Sequence, residues 1–255
     1  MSALRTMGTL AAALLAGAAI TAAPAAADTD IVGGRPATKG EFPHQLSLRD
    51  SFSGKHFCGA SILDKYTALT AAHCVADFHG DASKLYVVAG SNLLDRGGVK
   101  SRVKKIVTHK QYDAQRIVND IAILKLSSGL TFGSAVAAVP LATSDPSAGS
   151  QVTLSGWGLT SFPGTIPNAL QTLNMHVLGH SACVQQNPTD LPISAGNLCT
   201  ISPKGKGACK GDSGGPLVAG GKQVGVVSWG VPCAKGYPDV FTSVSAYAKW
   251  IQQNR

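Results

Sequence analysis

The sequence predicts an all-β fold, a barrel or sandwich closed by one C-terminal helix. Three observations predict it. Short β-rich runs recur along the chain, clusters of Gly, Pro, Asn or Ser separate most of them, and helical periodicity appears only at the end. The runs are Leu85–Ala89, Lys105–Thr108, Ile121–Leu126, Val152–Ser155, Leu170–Val177, Val224–Trp229 and Val240–Val244. Ahead of the second run, Lys100, Arg102 and Lys104 alternate with other residues, the pattern of a solvated strand face. The final segment, Val244 to Gln252, differs. Its apolar Val244, Tyr247, Ala248 and Ile251 fall at i, i+3, i+4 and i+7, one helical face. No internal repeat or low-complexity stretch follows residue 30.

Residues 1–27 read as a secretory signal peptide rather than as part of the fold. Arg5 supplies a basic start, Leu10 to Ile20 is apolar, and Pro24-Ala25-Ala26-Ala27 ends in an A-x-A cleavage pattern. As a membrane anchor the stretch is short, since about 20 apolar residues span a bilayer. A soluble, secreted, extracellular product with no membrane partner is expected. Removing residues 1–30 leaves 225 residues, which suits one large all-β domain. The removed segment carries one cation, Arg5, and two acids, Asp28 and Asp30, so the net charge rises from +8 to +9. Such a surface favours solubility and anionic partners such as acidic proteins or cell-wall polymers; nucleic acid is not expected. All six cysteines follow the leader, and an even count in an exported chain points to disulfides, with 15 pairings open. His176, His180 and Cys183 have a helix-compatible zinc spacing, but Leu173 to Leu178 reads as a strand. No metal and no cofactor are expected.

The run Gly211-Asp212-Ser213-Gly214-Gly215-Pro216 places a serine between glycines, where its hydroxyl can be exposed and two backbone N–H groups can point at one spot. It also fits the elbow of α/β-hydrolases, which place the acid and the histidine after the serine. Here His73, in Thr70-Ala71-Ala72-His73-Cys74, comes long before it, and so does Asp120, in Asp120-Ile121-Ala122-Ile123-Leu124. His, Asp, Ser is the chymotrypsin order. With Ile31-Val32-Gly33-Gly34 at the start, four motifs in order resemble the trypsin/chymotrypsin family of secreted serine proteases from Ile31 to the C-terminus.

The resemblance implies two six-stranded antiparallel β-barrels with the active site between them. It implies a signal peptide at 1–27, a short propeptide at 28–30 and a protease domain at 31–255. A serine hydroxyl is a weak nucleophile and needs a base within reach. His73 is that base and Asp120 its orienter, with Ser213 attacking. Gly211 and Ser213 donate backbone N–H groups to the oxyanion, an interaction worth roughly 3–4 kcal/mol per donor. Asp212 pairs with the ammonium of Ile31 once the propeptide is cut. Breaking a buried pair costs about 3–5 kcal/mol, so the pair can act as a switch. The residue before the cut is Asp30, not Lys or Arg, which argues against self-activation. The family's disulfides map to Cys58–Cys74, Cys183–Cys199 and Cys209–Cys233.

The same resemblance addresses specificity. Ser228-Trp229-Gly230 matches the pocket wall that pairs with substrate backbone. Trypsins place an aspartate on the pocket floor six residues before the nucleophile; this chain has Gly207 there, followed by Ala208. In Tyr237-Pro238-Asp239-Val240-Phe241, Asp239 replaces the usual glycine, an exchange that some members carry together with broad specificity. The expectation is cleavage after Lys or Arg with broadened acceptance, and a chymotrypsin- or elastase-like preference is the alternative. A cationic, non-catalytic binding protein is the remote alternative, and the presence of all three triad residues argues against it. Between Asn92 and Arg102 only Asp95 is acidic, so calcium is not expected in that loop. Protein and peptide substrates, proteinaceous inhibitors and a monomeric state follow from the resemblance.

Overall fold

The computed structural model describes Met1, residues 32–231 and residues 233–255. The rest of the expected leader, the 28–30 segment and Ile31 lie outside the described residues. After the two-residue β1 (Arg35–Pro36), six strands build the first barrel: β2 (Gln45–Asp50), β3 (His56–Asp64), β4 (Thr67–Thr70), β5 (Leu85–Ala89), β6 (Val99–Thr108) and β7 (Ala122–Leu126). They close in the order β2-β3-β4-β7-β6-β5. The second barrel uses β8 (Gln151–Gly156), β9 (Gln171–Leu178), β10 (Asn197–Ile201), β11 (Pro216–Ala219), β12 (Lys222–Gly230) and β13 (Asp239–Ser243). Its order is β8-β9-β10-β13-β12-β11, closed where Leu217 of β11 pairs with Leu154 of β8, with β1 added alongside β9. Every strand pairing is antiparallel. This is the chymotrypsin fold expected from the motifs.

Each barrel has its own apolar core. Leu46, Leu48, Ile62, Leu69, Leu85 and Val87 fill the first; Leu154, Met175, Leu217 and Phe241 fill the second. The seven expected strand runs are all strands, and the run at Lys105–Thr108 is the second half of a longer one, β6. Strands β1, β2, β3, β4, β10 and β11 lie outside the expected runs. The reason is visible in β3, His-Phe-Cys-Gly-Ala-Ser-Ile-Leu-Asp, which is buried at seven of nine positions and shows no alternation. One face meets its own core, while Gly59 lies so near the serine loop that a Cβ there would come within 2.8 Å of Gly215 Cα. A strand buried on both faces loses its period-2 signal.

The terminal helix is shorter than expected: α2 spans Ala248–Asn254, and 244–247 form a turn. Val244 N still bonds to the sheet at Val224 O, and Ser243 Oγ accepts from Ala246 N. Asp145 takes the hydroxyls of Ser243 and Ser245. Serines that bond locally compete with helix hydrogen bonds, which delays the first turn. The apolar face is as read: Val244 and Ile251 are buried and pack into the first barrel's core, across from the barrel that the helix follows. A second helix, α1 (His180–Gln186), carries His180 and Cys183, while His176 stays on β9. Cys183 is bonded to Cys199, so it is not a free zinc ligand. The other bridges are Cys58–Cys74 and Cys209–Cys233. Among the described residues, no helix is long and apolar enough to cross a membrane.

Candidate active site

His73 lies in the turn just beyond β4, and Cys74 beside it is tied to Cys58 of β3. Asp120 comes just before β7 and is 1% exposed. One of its oxygens accepts from His73 N at 2.8 Å; the other lies 2.7 Å from His73 Nδ1 and accepts from Ser228 Oγ at 2.6 Å. Thr242 Oγ1 holds its carbonyl at 2.7 Å. Ser228 and Thr242 are on β12 and β13, so the second barrel fixes an acid that belongs to the first. An ionised carboxylate only accepts, so the proton sits on Nδ1 and Nε2 is left as the free base.

Ser213 is half-buried in a run whose other residues, Gly211 to Pro216, are all buried. Gly59 N donates to Ser213 O at 2.7 Å, and Thr70 Oγ1 donates to Gly59 O. Gly214, at φ 77°, leaves no room for a Cβ, which would sit 2.2 Å from Thr70 Oγ1. The serine loop is thus pressed against β3 and the end of β4, three residues from His73. The N–H groups of Asp212, Gly214 and Gly215 each bond to a protein carbonyl. Those of Gly211 and Ser213 have no acceptor among the described residues, which suits donors reserved for an oxyanion. Gly211 has φ +103°, a conformation that glycine alone adopts easily.

One contributor escaped the sequence reading. His56 Nε2 donates to Gly211 O at 3.0 Å, while its Nδ1 accepts from Ser47 Oγ at 2.9 Å. Ser47 Oγ in turn accepts from Arg49 Nε at 2.9 Å. The ring meets Trp157 edge-on at 5.4 Å, and burial pushes its pKa down to about 4. A neutral, single-tautomer imidazole therefore fixes the Gly211–Asp212 peptide, which follows directly on the N–H of Gly211. Only the period-2 placement of Ser47 and Arg49 on β2 hinted at this, and seven histidines left too many candidates. His56→Ala is expected to lower kcat about tenfold with little change in KM, since an unsatisfied buried acceptor costs ~1–3 kcal/mol. Steady-state kinetics check this, and His56→Gln, which can still reach Gly211 O, should recover part of the loss.

Asp212 is fully buried; Gly158 N donates to Oδ1 at 2.8 Å and Cys209 N to Oδ2 at 3.0 Å. Burial pushes its pKa up to about 7 despite those two donors. Val32 and Gly33 run close by: Gly207 N donates to Val32 O, and Gly33 lies against Gly205 and Lys206. Beside Ser213 opens a cavity of about 290 Å³, also lined by Ala208, Trp229, Gly230, Cys233 and Asp239. Asp239 is 7% exposed and accepts from Ala208 N at 3.2 Å; burial pushes its pKa up to about 7. Gly207 lies behind it, where a Cβ would come within 2.9 Å of Oδ2, and a Cβ at Gly230 would come within 3.1 Å of Oδ1. Among the described residues Lys235 forms no salt bridge with Asp239. The one cluster of metal-type ligands among the described residues is Cys58, His73 and Cys74, and its two cysteines are bonded to each other.

The family model described as Trypsin matches residues 31–251. Trypsin delta of Drosophila melanogaster is 42% identical over 230 residues, covering 89% of this chain and 89% of its own. Chymotrypsin-2 of Vespa crabro is 40% identical over 226 residues, covering 88% of this chain and 100% of its own. With two closed barrels and a family model that matches almost the whole described chain, the chain belongs to the trypsin family and is a serine endopeptidase.

Proposed function

We propose that this protein is a secreted, monomeric endopeptidase, open to proteinaceous inhibitors, that cleaves after Lys and Arg with broadened acceptance of large apolar residues. Ser213 Oγ attacks the scissile carbonyl while His73 Nε2 takes its proton. Asp120 holds the ring and stabilises the imidazolium. The N–H groups of Gly211 and Ser213 receive the oxyanion. The amine leaves with the proton from His73, and water repeats the sequence on the acyl ester. Ser228, Trp229 and Gly230 hold substrate backbone.

The observation that carries the specificity reading is a single buried carboxylate, Asp239, in the cavity that Ser213 lines. A buried carboxylate without a cation is costly, and a substrate ammonium or guanidinium is a natural partner. The second reading is chymotrypsin-like cleavage after apolar residues alone. It is favoured by the pocket's apolar walls, by the raised pKa of Asp239, and by relatives named both trypsin and chymotrypsin. Profiling on peptides varied at P1 separates them: Lys and Arg ahead of Phe, Tyr and Leu is expected, and no cleavage after Lys or Arg selects the second reading.

Asp212 carries a related proposal. A fully buried acid with a raised pKa calls for a cation, and Val32, next to Ile31, accepts from Gly207 N, two residues before Cys209, which bonds the acid. Loss of residues 1–27 and then 28–30 frees the ammonium of Ile31 to supply it. The active form is expected to begin at Ile31, as N-terminal sequencing reads, and a form beginning at Asp28 should retain under about 1% of turnover. Full activity from Asp28 would overturn the switch.

A further inference from the structure

The outer face of the first barrel carries a row of cations that the cleft does not use. On β6, Lys100, Arg102 and Lys104 are exposed, while Ser101 and Val103 between them are buried. Side chains two apart on one strand face stand about 7 Å apart. The register shifts after Val103, which leaves Lys105 exposed beside Lys104, and Lys105 sits directly opposite Lys125 of β7. Like charges in directly opposed positions destabilise a sheet. The nearby acids are engaged elsewhere: Asp64 with Arg255 at 3.1 Å and Asp81 with Lys84 at 3.9 Å. Among the described residues, none of the five cations on β6 and β7 has a salt bridge. The fold thus keeps a row of mutually repelling charges.

We propose that β6 with Lys125 forms a docking track for an extended anionic polysaccharide bearing sulfate or carboxylate groups. The track suits a repeating polyanion because its charges follow one another along the strand, exposed on β6 and with no buried polar anchor among them. The ring beside it, Tyr86, is 5% exposed and has Lys100 Nζ 3.8 Å from its centroid, so it offers no open face to a nucleobase. No residue of β6 lines the specificity cavity, so a bound polymer leaves the cleft open and holds the protease on an anionic matrix.

Dextran sulfate is the probe. Binding to the mature enzyme is expected at about 0.15 M salt, with log Kd rising with log salt at a slope of about 3–5, one counterion for each neutralised charge. The triple variant Lys100→Gln, Arg102→Gln, Lys104→Gln should weaken binding at least ~30-fold and cut the slope by about 3. Its turnover of a small peptide ester should be unchanged. The pair Lys105→Gln, Lys125→Gln should weaken binding while raising Tm, because it removes an opposed like-charge pair. An equal charge loss elsewhere, through Lys39→Gln, Lys204→Gln and Lys222→Gln, should leave Kd within about threefold. The proposal is overturned if that control weakens binding as much as the track variant, or if dextran sulfate fails to bind. It is also overturned if poly-glutamate or single-stranded DNA binds as tightly through the same residues.

Discussion

Ser213→Ala is expected to reduce turnover by about 10⁴–10⁶ while leaving the fold intact. The size follows from the chemistry: without Oγ there is no acyl-enzyme, and only the oxyanion donors and substrate binding remain to assist water. The fold should survive because the loop's anchors are backbone contacts, from Gly59 N to Ser213 O and from Gly214 N to Val227 O, and the side chain itself is half-buried. Single-turnover kinetics and thermal melting check the two halves. A serine-directed covalent inhibitor should label Ser213 in the parent and nothing in the variant. Retention of more than a few per cent of activity with correct folding would show that another group is the nucleophile.

The second large effect is expected from Asp239→Gly. Cleavage after Lys and Arg should fall by at least ~10²-fold, because a pocket without its carboxylate strands the substrate's charge in an apolar site. Cleavage after Phe, Tyr or Leu should persist or improve, since the variant vacates the space that the Asp239 side chain fills against Gly207 and Gly230. In the parent, Lys should suffer less than Arg from the carboxylate's place on the wall. A point charge tolerates a displaced partner, whereas a planar guanidinium needs a square two-pronged meeting. The pH dependence has a definite sign. Burial pushes Asp239 up to about 7, so the carboxyl is neutral below that pH and ionised above it. The ratio of kcat/KM for Lys substrates to that for Phe substrates should therefore rise as pH increases from about 6 to 8, since any pH dependence common to both substrates cancels in the ratio. The ratio should be flat in Asp239→Gly. An unchanged preference for Lys and Arg in that variant would place the recognising acid elsewhere.

The sequence by itself determined the class of chemistry. His73, Asp120 and Ser213 stand in motifs whose His, Asp, Ser order separates the chymotrypsin pattern from that of the α/β-hydrolases. It also determined the strands with one wet face, such as β6 and β9, because alternation survives where water touches one side. Tertiary structure decided the rest. Strand β3 was illegible because both its faces are buried, one by its own barrel and one by the serine loop. The helix began late because Asp145, a hundred residues away, holds the hydroxyls of Ser243 and Ser245 in a turn. His56 joined the site because β2 and β3 bring Ser47, Arg49 and His56 under a carbonyl 155 residues further along the chain. Asp239 met the cavity of Ser213 because β13 pairs with β12, which sets it directly opposite Gly230. Local motifs record what a residue can do; which partners it meets depends on long-range pairing, and that information is spread over strands far apart in the chain.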